Sequence, residues 1–175
     1  GGAPANVACG LAQLGTAVAF VGRVGDDLIG EQFSYRLQQR GVETSGLQVD
    51  PDRPSRIVLV RRSVAGERQF QGFAGNCGQG FADQALRSVS LPIRARWLLL
   101  GSIPLASAQS AAALQSAVEQ ARHQGTAIAL DVNWRPTFWD VMADPGAGPS
   151  PTVQAAIQSL LEAAALIKLA REEAL

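Results

Sequence analysis

Apolar positions along this chain follow two alternating rhythms, one of helices and one of short buried strands. Val7, Ala8, Leu11 and Leu14 recur at helical spacing and stop at Gly15, a normal helix terminator. The run Ala17 to Gly22, apolar and bounded by glycines, predicts a strand buried on both faces. Leu28, Ile29, Phe33 and Leu37 mark an amphipathic helix ended by Gly41, and Asp26 and Asp27 lie where a helix N-terminus favours negative charge. Between 46 and 73 the rhythm changes. Ile57 to Val60 and Arg68 to Gln71 flank a turn at Ala65-Gly66-Glu67, which reads as a hairpin. From residue 81 the alternation resumes with a helix near Ala82 to Arg87, a strand at Trp97 to Gly101, a helix from about Ser107 to Gln124 and a strand at Ala127 to Asp131.

This order predicts an α/β fold, in which a mostly parallel sheet carries helices on both faces and one antiparallel hairpin projects from it. Ligands of such sheets gather beyond the carboxyl ends of the strands. Gly1-Gly2, Gly101-Ser102 and the segment Asp131 to Arg135 all fall at those ends.

Composition narrows the partners. A chain of 175 residues that is 47% hydrophobic can bury a substantial core, as one domain or most of one. Fifteen basic and fifteen acidic residues balance, which argues against a general nucleic-acid or acidic-membrane surface and favours a small neutral or anionic ligand. No segment has the apolar length of a membrane span. Cys9 and Cys77 lack metal-ligand or redox spacing and read as reduced thiols of a cytoplasmic protein. The single histidine, His123, lies near a helix end before Gly125 and reads as a surface or capping residue. Gly22-x-x-Gly25 does not make the dinucleotide fingerprint, so a dehydrogenase is rejected.

The chemistry concentrates at the start. Gly1-Gly2 suits a tight strand-to-helix turn that lets a ligand approach the main chain, and Pro4 fits the first helical turn, where its missing N–H costs nothing. Asn6, one turn in, carries a donor and an acceptor suited to two neighbouring sugar hydroxyls. Read alone, this is a glycine turn with a capping Asn. Read through Leu14-Gly15 and Val24-Gly25-Asp26-Asp27-Leu28-Ile29-Gly30, it resembles the first signature of the ribokinase-like (pfkB) sugar kinases, of the fructokinase-like kind.

Further phrases follow in the family's order. Gly41-Val42-Glu43 matches the next one, and Gly66-Glu67-Arg68 with Phe70 is similar to the family's lid turn, although Gln71 and Gly72 stand where an aromatic and an Arg are usual. Asp131-Val132-Asn133-Trp134-Arg135 resembles Asp-Pro-Asn-x-Arg, with Val132 in place of Pro. The resemblance puts Asn133 and Arg135 near substrate and transferred phosphate, a role the planar guanidinium suits. Read alone, the segment is a strand end with a capping polar pair. Leu166 to Glu173 is similar to the phrase in which a Lys-containing strand leads to Asn-x-x-Glu, with Ala170 replacing the Asn. It places Lys168 and Glu173 beside phosphate and gives Glu173 an indirect role at the metal, whereas the residues alone read as a charged helix start. Asp144 to Pro149 superficially resembles the catalytic Gly-Ala-Gly-Asp signature, but Pro149 can neither accept a proton nor donate an N–H, so a loop is expected.

The resemblance implies a ribokinase-like αβα sandwich with a small β lid over about residues 46–73, and residues 1–175 as a partial kinase domain. An N-terminal strand before Gly1 and the ATP-binding, catalytic part with its base Asp beyond Leu175 are then expected to lie outside this stretch, which would be inactive alone. The implied substrates are ATP, with Mg2+, and a sugar held by Gly1, Gly2, Asn6, Asn133 and Arg135. Fructose comes first among the sugars, with 2-keto-3-deoxygluconate, ribose or a nucleoside behind it. A homodimer through the lid is the protein partner it implies. The rival reading is a non-catalytic sugar-binding or regulatory remnant, suited by the changes at Gln71, Val132 and Ala170.

Overall fold

In the computed structural model, which describes residues 2–62, 68–75, 80–91, 95–144 and 146–173, the strands form three groups. β1 (Gly22–Gly25) and β2 (Leu47–Asp50) pair in parallel. β3 (Val58–Arg62) and β4 (Arg68–Phe73) make an antiparallel hairpin with an irregularity between Leu59 and Val60. β5 (Trp97–Gly101), β6 (Ala127–Asp131) and β7 (Leu166–Lys168) form a parallel sheet in that order. The helices are α1 (Ala3–Gln13), α2 (Leu28–Gln39), α3 (Ala108–Gln124) and α4 (Pro151–Ala163). The α/β class, the parallel pairing and the hairpin are those expected from the sequence.

Two apolar clusters hold these elements. Ala5 and Ala8 of α1 pack with Leu37 of α2 and Val42, with Phe20, Phe33 and Leu47 beside them. Leu100, Ile128 and Leu130 of the three-stranded sheet pack with Leu114, Val118 and Ala121 of α3 and Ile157 and Leu160 of α4. Every second residue of β6 is therefore buried in one core, and the 3.6-residue period of each helix delivers a matching stripe. β3 contributes to neither cluster and is exposed along its length, whereas Phe73 at the end of β4 is buried against Phe81 and Phe138.

Local chemistry sets the helix ends. The amide of Asn6 donates to the Gly2 carbonyl at 3.1 Å as α1 begins, and Gly2 holds φ 90, a conformation that favours glycine. Asp27 caps α2 by accepting from the Gly30 amide at 2.8 Å. Gly125, with φ 68, terminates α3 as a left-handed cap.

Four sequence expectations change. The strand expected at 17–22 is seated later, at Gly22–Gly25, and the earlier residues make only a bridge between Ala19 and Glu43. Regular pairing starts where β2 can run alongside. The helix expected near 82–87 is a single 3-10 turn, Ala82–Ala85, because Leu86 turns to an extended conformation immediately after it. β2 lies within residues expected to belong to the hairpin region, yet it extends the parallel pairing with β1. α4 had no sequence expectation; Ser150 caps it by accepting from the Val153 amide, and Pro151 opens it. The turn at 65–67, Cys77 and Gly1 lie outside the described residues.

The spacing Gly25 to Gly30 has a steric cause. A Cβ on Gly30 would collide with the Gly25 carbonyl oxygen, so α2 can rest on the end of β1 only without a side chain there. Gly30→Ala is expected to lower the unfolding free energy by about 1–3 kcal/mol, despite the better helix propensity of Ala. Denaturant titration of the two proteins checks this, and an unchanged or stabilised variant would contradict the close packing.

Candidate active site

A cavity of about 230 Å³ opens at the carboxyl ends of β5 and β6. The start of α1 lines it through Ala3, Pro4 and Ala5, the approach to β1 through Phe20 to Arg23, and β5 through Leu99 and Gly101. Asp131, Asn133 and Phe138 close the third side, and Arg56, Asp83 and Gln84 the fourth. A second, more open hollow of about 510 Å³ adjoins it, sharing Gln84, Ala106, Ser107 and Phe138 and extending towards Arg53, Thr137 and Asp140. We centre the candidate site on the first, because it lies where parallel strands end and brings Asp131 and Asn133 into one cavity with the start of α1.

The strand ends are tied together from within. Ser102, fully buried after β5, donates its hydroxyl to the Val132 carbonyl, and the Val132 amide donates to the Lys168 carbonyl at 3.1 Å. Lys168 Nζ lies 3.0 Å from Asp131 Oδ1. Asn133 follows with φ 45, the only described residue other than glycine in the left-handed region. Such a conformation costs energy that the surroundings must supply, and it is found preferentially at ligand-handling turns.

What supplies it here is Glu173. Its side chain is 6% exposed; Oε1 accepts from the Trp134 amide at 2.7 Å and Oε2 from the Ala170 amide at 2.8 Å, with Arg135 NH1 3.6 Å from Oε1. Trp134 Nε1 donates to the Ala147 carbonyl at 2.8 Å, so the 146–149 segment is a loop that braces the same turn. The expected loop at 144–149 is thus present in its described residues.

The residues singled out from sequence divide into two groups. Asn133 lines the cavity, while Lys168, Glu173 and Arg135 form the shell behind it, Arg135 exposed and bonded to the Trp134 carbonyl at 2.6 Å. Gly2 begins the helix whose next three residues line the cavity, whereas Asn6 stands exposed on α1 beyond them. Sequence reasoning passed over Arg56 and Asp83. Arg56 lies between Ser55 and the first apolar strand of the hairpin, and nothing in that local pattern separates it from a surface arginine.

A second network anchors the base of the hairpin. Asp50, 1% exposed, receives Arg23 Nε at 2.8 Å and Arg53 NH1 at 3.3 Å on Oδ2, and the amides of Asp52 and Arg53 on Oδ1. Burial alone would raise its pKa, but the Asp52 amide and Arg23 outweigh it and hold the carboxyl at about 2. Asp27, besides capping α2, accepts from the Ser55 amide at 2.7 Å, while Ser55 Oγ accepts from the Gly25 amide at 2.9 Å. Burial again works against ionisation of Asp27, and the Ser55 and Gly30 amides override it, leaving its pKa below the ordinary carboxylate value.

A family model described as pfkB family carbohydrate kinase matches residues 1–175. The chain belongs to this family. The fructokinase of Escherichia coli is 33% identical over 175 residues, covering 99% of this pfkB chain and 53% of the relative. Probable fructokinase-6, chloroplastic, of Arabidopsis thaliana is 31% identical over 173 residues, covering 99% and 43%. Among solved structures, the apo fructokinase of Vibrio cholerae O395 superposes with a TM-score of 0.82 at 32% identity, covering 99% of this chain and 56% of that one. The same fructokinase in its fructose, ADP and calcium ion bound form gives 0.80 at 29%, covering 99% and 53%. The pfkB chain thus spans about half the length of the relatives it matches.

Proposed function

We propose that the protein to which this chain belongs transfers the γ-phosphoryl group of ATP to a hydroxyl of a sugar, with fructose as the first substrate. The observation that carries this reading is the match to fructokinases over 99% of the chain, centred on a structure whose cavity lies at the ends of β5 and β6 beside the glycine turn of α1. The cavity's own charge supports an uncharged sugar. Two guanidiniums, Arg23 and Arg56, and two carboxylates, Asp83 and Asp131, line it. Arg23 pairs with Asp50 and Arg56 with Asp83, so neither cation is left over for the carboxylate of a sugar acid such as 2-keto-3-deoxygluconate.

In this reading the start of α1 after Gly2 and Asn133 meet the sugar in the cavity, while Asn6 and Arg135, both exposed and outside its lining, are proposed to reach the sugar and the phosphate in transit from its edge. Lys168 and Glu173 hold the turn between them. A base for the sugar hydroxyl and the phosphate-cradling helix are proposed to lie in the remainder of the kinase, which would supply general-base assistance worth about 10²–10⁴ in rate. The described residues do not by themselves make a Mg2+ site: no three Asp, Glu, His or Cys side chains converge among them, and both oxygens of Glu173 are engaged by amides. The exposed apolar side chains of β3, Val58, Leu59 and Val60, support the proposed homodimer through the hairpin lid; a cytoplasmic location is part of the same proposal.

A coupled ADP-release assay on the longer protein with fructose, ribose and 2-keto-3-deoxygluconate tests the reading. Saturable turnover, best with fructose, is expected. Sugar binding without turnover would favour the non-catalytic reading, which Gln71, Val132 and Ala170 suggest, and neither binding nor turnover would sink both. In the same assay, Asn6→Leu is expected to raise the sugar KM roughly 5- to 150-fold, because one lost hydrogen bond and a stranded hydroxyl cost about 1–3 kcal/mol, with less effect on ATP. Unchanged sugar kinetics would remove Asn6 from the site.

A further inference from the structure

Arg56 is held in an unusual way for a residue that lines a cavity. Its guanidinium carbon lies 4.9 Å from the ring centroid of Phe73, 5.0 Å from Phe81 and 4.8 Å from Phe138. Nε approaches both oxygens of Asp83, at 3.1 and 3.0 Å. Three rings and one carboxylate therefore fix the plane of the group, and the rings reward the cation without consuming its N–H donors. The side chain is 9% exposed. Yet its NH1 nitrogen, sealed from bulk water, has no hydrogen-bond partner among the described residues. A buried donor left without an acceptor is expensive and is seldom retained without a use. Arg56 and Phe138 line the same cavity as Asp131 and Asn133, so an occupant of that cavity is placed to bring the acceptor.

We propose that Arg56 is a substrate-binding residue, whose NH1 donates to an oxygen of an uncharged sugar seated against Asn133 and Asp131. The assignment rests on reading this cavity as the sugar site. The chemical class follows from the pairing already made: Asp83 has neutralised the guanidinium, so what NH1 still offers is a directed N–H and not a free positive charge. A hydroxyl or ring oxygen satisfies it. A carboxylate would bring a second negative charge beside Asp83 with nothing to offset it. Because the three rings and Asp83 already fix the guanidinium, little side-chain entropy is lost if NH1 takes an acceptor from the sugar.

The test uses the longer protein containing this chain, with Arg56→Met and Arg56→Lys. Met packs well on aromatic rings, and Asp83 is exposed enough to be solvated once unpaired, so Arg56→Met should fold. Its fructose KM is expected to rise about 10- to 150-fold with the ATP KM changed less than about 3-fold, and Arg56→Lys to fall between. The deciding readout is a series of fructose analogues each lacking one hydroxyl. In the unmodified protein, the analogue missing the contacted oxygen should bind worse; in Arg56→Met that particular penalty should vanish while the others persist. Losses spread evenly over all analogues would overturn the proposal, since they would mean that the acceptor of NH1 belongs to the protein and that Arg56 merely braces the wall. Failure of the unmodified protein to bind or phosphorylate any of the sugars would instead overturn the sugar reading and this assignment with it.

Discussion

Asp50→Ala is expected to lower the unfolding free energy by about 3–5 kcal/mol, as much as truncating a fully buried core side chain. The carboxylate is 1% exposed and the Arg23 side chain 5%, so the substitution leaves a guanidinium buried with only Gln48, at 3.1 Å, as a remaining partner among the described residues. Two amides, of Asp52 and Arg53, lose their acceptor at the same time. Asp50→Asn keeps the shape but removes the charge and turns one acceptor into a donor, and should recover only part of the loss. The acid limb of stability reports the same group. A carboxyl held at about 2 in the folded chain, against 3.8 ordinarily, contributes stability that is complete above about pH 5 and is lost as pH falls through 3.8 towards 2. That contribution is at most about 2.5 kcal/mol. Denaturant titrations of wild type and Asp50→Asn between pH 7 and pH 2 check it: the two curves should converge on acidification. Parallel curves would mean that Asp50 does not titrate in this window and that the ion pair is not the anchor described.

How much of this could be read from the chain depends on the range of the forces involved. Strands β5 and β6 and helix α3 were legible to within a residue because each is a local pattern with its own stop signal: Gly101 after Leu98 to Leu100, and Gly125 after the alanine-rich helix. β1 was displaced because parallel pairing is decided by a partner more than twenty residues away, here Leu47 to Asp50, whose sequence Leu-Gln-Val-Asp carries only a short alternation. The 3-10 turn at Ala82–Ala85 looked like the start of a helix because propensity cannot foresee Leu86 turning extended. At the site, Asn133 and Arg135 were visible as a motif, but the role of Arg56 depends on three phenylalanines spread from 73 to 138, a convergence that no spacing rule encodes. The Asp50 network was hidden for the same reason, since Asp50-Pro51-Asp52 reads as an ordinary polar turn until Arg23 is folded beneath it.

Glu173→Ala is expected to cost about 2–4 kcal/mol of stability and, in the longer protein, to lower kcat/KM for the sugar by about 10- to 100-fold. Both oxygens of this buried carboxylate accept backbone amides, from Trp134 and from Ala170, and hydrogen bonds to a charged acceptor are individually worth about 1.5–3 kcal/mol. The two are not fully additive, because freeing one loop lets the other relax. Their functional weight comes from position. The Trp134 amide immediately follows Asn133, whose positive φ must be held against its own preference, and Arg135 comes next with its guanidinium 3.6 Å from the same carboxylate. Removing the clamp allows the 133–135 turn to relax towards ordinary backbone, carrying the Asn133 side chain off the cavity wall and Arg135 off its heading. Displacements of about 1 Å at such a point are enough for losses near 10². Glu173→Gln separates the clamp from charge: its amide keeps one acceptor oxygen, so one of the two backbone bonds can survive while the second meets an N–H. Stability and kcat/KM should both fall between wild type and Glu173→Ala. A Glu173→Ala protein that loses activity with undiminished stability would show that the carboxylate acts on phosphate or a phosphate-bound cation instead of on the turn. Unchanged stability and activity together would show that the two amides are satisfied equally well without it.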